Sequence, residues 1–175
     1  MNRIITVMLL VFSACLSAGA IARPAGHADL FNGAEINWRD PRSGIYEATQ
    51  TGKPVIMVFH ATWCSACKKY RAVFGDAAIV AAAKDFVMIL VDADKDKDIN
   101  GAFSPDGTYV PRTLFVDTDG NVSTTLVGKD PSYPHTIDVG RPDELLALML
   151  KAKAEGFGPA NKPADDAAAQ VGKGT

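Results

Sequence analysis

Two cysteines separated by two residues carry the clearest chemistry in this chain. Cys64 and Cys67 follow the apolar run at 54–59, so the pair lies where a buried strand ends and a helix begins. Two sulfurs at this spacing can close a disulfide across the first helical turn, where unpaired backbone N–H groups stabilise a thiolate. A thiolate attacks in disulfide exchange, and a second cysteine releases the mixed disulfide. The spacing therefore predicts a redox pair with Cys64 as nucleophile and Cys67 as resolving cysteine.

A structural disulfide and half of a zinc site are two other uses of such a pair. A tetrahedral zinc site needs four ligands. Outside the pair, the chain offers only Cys15, His27, His60 and His135. Since there is no second Cys-x-x-Cys, redox chemistry is the favoured interpretation and no metal site is predicted.

Size and charge narrow the class of protein. The 175 residues fit one domain of ordinary size with a sizeable core. The formal net charge is -2, the sequence pI is about 5.9, and the lysines and arginines are scattered rather than grouped. Nucleic acid is therefore not an expected partner.

The first 22 residues have the pattern of a secretory signal peptide. An arginine at position 3 precedes the apolar stretch 4–12, and small residues lead to a cleavage site after Ala22. The alternative is a lipoprotein site at Cys15, which would attach the protein to a membrane through a lipid. Either pattern predicts export to a periplasm or to the outside of the cell, where disulfides form and persist.

The rest of the chain is predicted to be an α/β domain at 36–156, with a flexible lead-in at 23–35 and a disordered tail at 157–175. Apolar spacing and turn signals predict helix, strand, helix, strand, a β-hairpin and a closing helix. The hairpin is expected at 113–127, around an Asp-Gly turn. The acidic run at 92–98 has neither the glycine nor the glutamate of an EF-hand loop, so a solvated loop is expected there.

Residues 63–68, Trp-Cys-Ser-Ala-Cys-Lys, resemble the active-site motif of the thioredoxin family. The chain is more closely similar to secretory thioredoxin-like proteins related to the anterior gradient proteins, which share this type of site and a segment like 103–112. Residues 36–39, 52–54 and 131–133 also match, and the likeness runs from about 30 to 155. It implies a thioredoxin-like fold, in which helices cover both faces of a central mixed sheet.

The resemblance implies three further site residues. Pro111 would be a cis-proline that faces the disulfide and leaves the backbone of Val110 free to pair with an extended client. A trans proline that opens an edge strand is the alternative. Trp63 would shield the sulfur and present an apolar rim to clients, unless it is an ordinary core aromatic.

Some positions depart from the family pattern. Thioredoxins keep a buried acid six residues before the first active-site cysteine and a lysine beside it, whereas this chain has Val58 and Met88. His60 or bulk water would then take the proton, although His60 is equally expected as a core-edge histidine. Lys68 adds a positive charge that favours a thiolate, unless it is simply solvated. Since the dipeptide 65–66 has no histidine, a potential between about -270 and -120 mV is expected.

These features predict a thiol–disulfide oxidoreductase that acts on exported proteins and exchanges electrons with a partner dithiol protein. No cofactor is required, and the direction of electron flow stays open. One alternative is a chaperone-like module that binds clients in the same groove with little turnover. The other is a copper delivery protein that uses the cysteine pair and His60, although no Met-rich stretch accompanies them.

Overall fold

A computed structural model describes residues 30–157, in which helices and strands alternate. The strands are β1 (Trp38–Arg39), β2 (Val55–His60), β3 (Val87–Asp92) and β4 (Arg112–Val116). The helices are α1 (Pro41–Thr51), α2 (Ser65–Tyr70), α3 (Ala77–Ala83), α4 (Lys97–Ala102) and α5 (Asp143–Ala154), with a 3₁₀ helix at Arg71–Gly75. The predicted α/β architecture is confirmed.

The four strands form one mixed sheet in the order β1-β3-β2-β4. The first three run parallel, and β4 runs antiparallel to β2. His60 at the end of β2 pairs in register with Asp92 at the end of β3, and Phe59 pairs with Arg112 at the start of β4. The carboxyl ends of β2 and β3 and the beginning of β4 therefore meet at one edge of the sheet.

Side chains of β2 and β3 are buried at every position, which explains their unbroken apolar sequences. Alternate residues point to opposite faces and join two separate core clusters. The larger cluster contains Val58 and Leu90 and packs against residues of α3 and α5. The smaller one contains Met57 and Ile89 and packs against Ala48 of α1.

Aspartates begin two of the helices. The Asp40 carboxylate accepts hydrogen bonds from two backbone amides in the first turn of α1, and Asp76 does the same for α3. Asp76 begins α3 after the 3₁₀ helix that follows α2. The segment after the cysteine motif is therefore divided between α2 and α3.

The predicted β-hairpin is only half present. β4 and the turn with Gly120 at φ 88° form as expected, but the second strand is reduced to a single bridge between Val116 and Val122. The Ser123 hydroxyl accepts hydrogen bonds from the amides of Thr125 (3.3 Å) and Leu126 (3.1 Å). This local turn competes with the strand ladder, so the chain leaves the sheet.

The predictions of a flexible lead-in at 23–35 and of a solvated loop at 92–98 are each partly wrong. Phe31 is fully buried, and its carbonyl accepts a hydrogen bond from the Trp38 indole at 2.6 Å, so the folded region begins before residue 36. Within 92–98, Asp92 is buried at the end of β3 and α4 begins at Lys97. The burial of Phe31 arises from packing against distant residues such as Phe74, which local polarity does not reveal.

Predictions for residues 1–29 and 158–175 lie outside the described residues; they include the signal peptide, the lipid site at Cys15 and nearly all of the tail. Phe157, the first residue of the predicted tail, packs against the larger core cluster. Across residues 30–157, no helix combines the length and the apolar character that crossing a bilayer requires.

Candidate active site

Cys64 and Cys67 lie at the start of α2, directly beyond the end of β2, and form a disulfide with a Cα–Cα distance of 5.3 Å. Cys64 is the N-cap of this helix. It is 5% exposed, whereas Cys67 is 0% exposed. Cys64 is therefore the sulfur on the solvent side, and Cys67 lies inside it.

The backbone amide of Cys67 points at the outer sulfur. It donates to Cys64 Sγ across 3.0 Å, which is how an N-cap side chain satisfies a free amide in the first turn. When the disulfide is reduced, the same N–H lies in position to stabilise a thiolate on Cys64. The asymmetry between the two cysteines therefore favours Cys64 as the attacking sulfur.

The Val110–Pro111 peptide bond is cis, as the resemblance implies. Cys64 Sγ lies 3.6 Å from the carbonyl oxygen of Val110. Within residues 30–157, neither the amide nor the carbonyl of Val110 takes part in a backbone hydrogen bond. The Pro111 carbonyl, in contrast, accepts a hydrogen bond from the Thr136 hydroxyl at 3.0 Å. A free stretch of main chain therefore lies beside the outer sulfur.

Trp63 is an exposed aromatic and does not belong to the core. Its side chain is 69% exposed, and its indole N–H donates to the Asp94 carboxylate at 2.9 Å. This hydrogen bond ties the residue before Cys64 to the loop that follows β3. The core-aromatic alternative is therefore wrong, and the contact of Trp63 with clients stays a prediction.

His60 and Lys68 occupy contrasting environments. His60 is fully buried in register with Asp92, with its ring 5.2 Å from that of Phe31. Burial is the largest effect and raises the pKa of Asp92, but the hydrogen bonds from Lys95 and the Asp94 amide and the positive charge of Lys95 together outweigh burial and hold this pKa below its usual range. Lys68 is exposed on α2. The roles predicted for His60 and Lys68 in catalysis stay predictions.

The position of the family's buried acid is apolar here. Val58 is fully buried and pairs with Leu90 on β3, while Met88 lies two residues earlier on β3 and pairs with Ile56. On its other side, Val58 pairs with Thr113 of β4. No described charge on the neighbouring strands replaces the acid at this level of the sheet.

Sequence reasoning missed Arg112, the residue after the cis-proline. Its side chain is fully buried, and its guanidinium lies 4.1 Å from the ring centroid of Phe59. It donates to the carbonyls of Tyr109 (2.9 Å) and Phe103 (3.0 Å) and to the side chain of Asn100 (2.8 Å). Arg112 thus joins α4 and the loop before the cis-proline to the sheet. The only sequence signal is a charge inside an apolar strand.

A second missed cluster supports the same loop. The Asp106 carboxylate contacts His135 Nδ1 at 2.9 Å and accepts a hydrogen bond from Tyr109. The Tyr109 hydroxyl in turn accepts from the backbone amide of His135 at 3.0 Å, and its ring packs 5.0 Å from that of Tyr133. The loop before the cis-proline is therefore fixed on both sides.

Across the described part of the chain, no three His, Cys, Asp or Glu side chains lie close enough together to hold a metal ion.

A family model described as thioredoxin-like matches residues 37–118. Anterior gradient protein 3 of Xenopus tropicalis is 31% identical over 124 residues, which cover 69% of this chain and 73% of that protein.

Two further comparisons agree with this family. The thiol:disulfide interchange protein DsbD of Ralstonia nicotianae is 36% identical over 88 residues, which are 47% of this chain and 14% of that protein. The solution structure of a thioredoxin from Thermus thermophilus superposes with a TM-score of 0.53 at 20% identity, covering 70% of this chain and 90% of that one. The thioredoxin structure agrees in fold alone, whereas the disulfide and the similarity to a thiol:disulfide interchange protein support thiol–disulfide oxidoreductase activity in general. The chain therefore belongs to the thioredoxin-like superfamily, among the relatives of the anterior gradient proteins.

Proposed function

We propose that this protein catalyses thiol–disulfide exchange on exported proteins through the Cys64–Cys67 pair. The observation that carries the proposal is the geometry of the outer sulfur. Cys64 Sγ accepts the Cys67 amide at 3.0 Å and lies 3.6 Å from the Val110 carbonyl oxygen. A sulfur with a hydrogen-bond donor on one side and free main chain on the other suits attack on an extended client.

The reaction runs through one mixed disulfide. In the reducing direction, the Cys64 thiolate attacks a client disulfide, forms a Cys64–client S–S bond and releases one client thiolate. The Cys67 thiolate then attacks Cys64 Sγ, closes the internal disulfide and releases the second client thiolate. The client gains two electrons, the protein loses two, and water exchanges the protons. The oxidising direction is the reverse.

Main-chain pairing beside the disulfide would hold the client. An extended segment can accept from the Val110 amide and donate to its carbonyl, which places a client sulfur next to Cys64. Because backbone groups are the same in every protein, this recognition is broad. The exposed Trp63 adds an apolar surface for client side chains.

Export and the direction of electron flow belong to this proposal as well. The signal-like sequence 1–22 supports export, and the similarity to a thiol:disulfide interchange protein supports exchange with a partner dithiol. Cell fractionation of the full chain tests export, since recovery in the cytoplasm alone would contradict it. A titration against a glutathione buffer measures the reduction potential of the Cys64–Cys67 pair, which indicates the direction of electron flow. A potential near or below about -240 mV indicates a reductant, and one above about -190 mV indicates an oxidase or isomerase.

Trapping of the mixed disulfide tests the mechanism. In a Cys15→Ala background, Cys67→Ser should accumulate a covalent adduct between Cys64 and a disulfide-bonded peptide, while Cys64→Ser should form none. The unmodified pair should turn the peptide over. If the Cys67→Ser variant binds the peptide non-covalently as tightly as the parent and neither protein exchanges, the chaperone-like alternative replaces the proposal. Stoichiometric binding of Cu(I) that His60→Ala abolishes would instead favour copper delivery.

A further inference from the structure

A buried pair of hydroxyl groups lies where the family's buried acid is missing. Thr113 of β4 pairs in register with Val58, and residues directly opposite each other on antiparallel strands share one face of the sheet. The Thr113 hydroxyl lies 2.9 Å from the Tyr70 hydroxyl of α2. Both residues are 1% exposed. The pair is thus a buried polar contact beside the apolar core, and the Glu144 carboxylate of α5 is near enough to act on Tyr70 electrostatically.

Tyr70 also lies on the same face of α2 as Cys67, the inner cysteine of the disulfide. Tyr70 and Cys67 are three residues apart on α2, a spacing that places them on the same face of the helix, and both are buried. Thr113 follows the cis-proline by two residues, on the strand that faces α2. The hydroxyl pair therefore joins the helix that carries the resolving sulfur to the strand that carries the client groove.

One of the two O–H groups in the pair has no acceptor among residues 30–157. Two hydroxyls carry two O–H donors, and the bond between them uses one. Among residues 30–157, neither hydroxyl makes any other hydrogen bond. A buried donor without an acceptor is unfavourable, so its presence calls for an acceptor in another state of the protein. Burial, and to a smaller extent the charge of Glu144 on α5, raise the pKa of Tyr70 well above its usual value, so this group stays a neutral donor and does not act as a base.

We propose that the Tyr70–Thr113 hydroxyl pair donates a hydrogen bond to the Cys67 thiolate and so assists the resolving step. In the disulfide, Cys67 is bonded to Cys64 and carries no charge. When the internal disulfide is open, the Cys67 proton passes to water and the remaining thiolate accepts the free O–H. The thiolate then attacks Cys64 Sγ, the Cys64–client bond breaks, and the client leaves as a thiolate. This inference rests on the proposed function, and it makes Tyr70 and Thr113 positioning residues for the buried sulfur.

The test measures how fast the internal disulfide forms from a Cys64 mixed disulfide. The variants are Tyr70→Phe, Thr113→Val and their double variant, with Thr113→Ser to keep the hydroxyl and the exposed Tyr46→Phe as a matched control. The double variant should hold about tenfold less Cys67 thiolate at pH 7 and should resolve about threefold more slowly, because a more basic thiolate is also the better nucleophile. The slowing should vanish near pH 10, where a thiol ionises without help. Thr113→Ser and Tyr46→Phe should behave like the parent.

The outcomes separate this inference from the proposed function. If the parent exchanges disulfides and the double variant resolves within twofold of it at pH 7, the hydroxyl pair has no such role. An equal slowing at pH 7 and pH 10 would mean a purely structural effect and would also overturn the inference. Failure of the parent protein to exchange at all would contradict the proposed function itself.

Discussion

Replacement of Arg112 by methionine tests whether this buried cation holds the loop before the cis-proline. Methionine keeps the apolar length of the side chain but removes every donor. Three acceptors within 3.0 Å of the guanidinium lose their partner: the carbonyls of Tyr109 and Phe103 and the side chain of Asn100. The face of Phe59 loses a cation at 4.1 Å.

The expected loss of stability follows from these contacts. A hydrogen bond to a charged group contributes about 1.5–3 kcal/mol to stability. The sum of three such bonds is therefore an upper limit on the stability that Arg112→Met loses. Burial of the guanidinium without a carboxylate in an ion pair is itself unfavourable, and for the same reason burial lowers the pKa of Arg112. The methionine variant is free of this unfavourable contribution, which offsets part of the loss. We expect a net loss of about 3 kcal/mol in the free energy of unfolding, or about 10 °C in Tm for a domain of this size.

Urea unfolding followed by far-UV circular dichroism measures this change. Arg112→Lys should fall between methionine and the parent, because one ammonium cannot reach all three acceptors in the geometry of the guanidinium fork. The matched control is Arg141→Met, since the Arg141 side chain is 71% exposed and forms an ion pair with Asp138. The free energy of unfolding of this control should fall by less than about 0.5 kcal/mol. A loss below about 1 kcal/mol in Arg112→Met, or one equal to that of the control, would refute the reasoning.

Two further predictions concern stability. The hydrogen bond from the Ser43 hydroxyl lowers the pKa of Asp40, so the stabilisation by Asp40 is present above its unfolded pKa and is lost as pH falls through the lower folded value. Asp40→Asn keeps the N-cap and should flatten the acid limb of a plot of unfolding free energy against pH by less than about 1 kcal/mol; an unchanged limb would contradict this. A Cβ on Gly44 would lie 2.4 Å from Ile89, whereas one on Gly101 meets nothing within 4 Å. Gly44→Ala should therefore lose about 1–3 kcal/mol in denaturant unfolding and Gly101→Ala should gain about 0.5–1 kcal/mol, and a reversed order would count against the packing described.

The elements that the sequence predicts well are those fixed by local pattern. Unbroken apolar runs locate β2 and β3, because both faces of these strands are covered. Asp76 marks the start of α3, since a short acidic side chain satisfies free amides wherever a helix begins. The position of the cysteine pair is predictable because the pair lies between the carboxyl end of the buried strand β2 and the start of α2.

What the sequence does not predict depends on distant partners. Phe31 lies in a polar segment but packs against Trp38 and Phe74, so its burial is decided by tertiary contact. Tyr70 and Thr113 meet across 43 residues, and nothing near either one indicates a buried hydrogen bond. Arg112 is buried because three acceptors surround it in the fold, whereas an isolated arginine is ordinarily read as a surface residue.

Loop segments that lie along the outer side of β4 leave little of this sheet edge open to a second chain. Open sheet edges invite other chains to add a strand, which leads to aggregation. Here the amide of Thr113 donates to the His135 carbonyl and that of Ser123 donates to Phe115, each at 2.8 Å, so loop segments occupy the groups that a second copy would need. The opposite edge is the two-residue strand β1, too short to template a partner. The two sheet edges therefore offer little main chain to a second copy, whereas the amide of Val110 beside Cys64 makes no backbone hydrogen bond within residues 30–157.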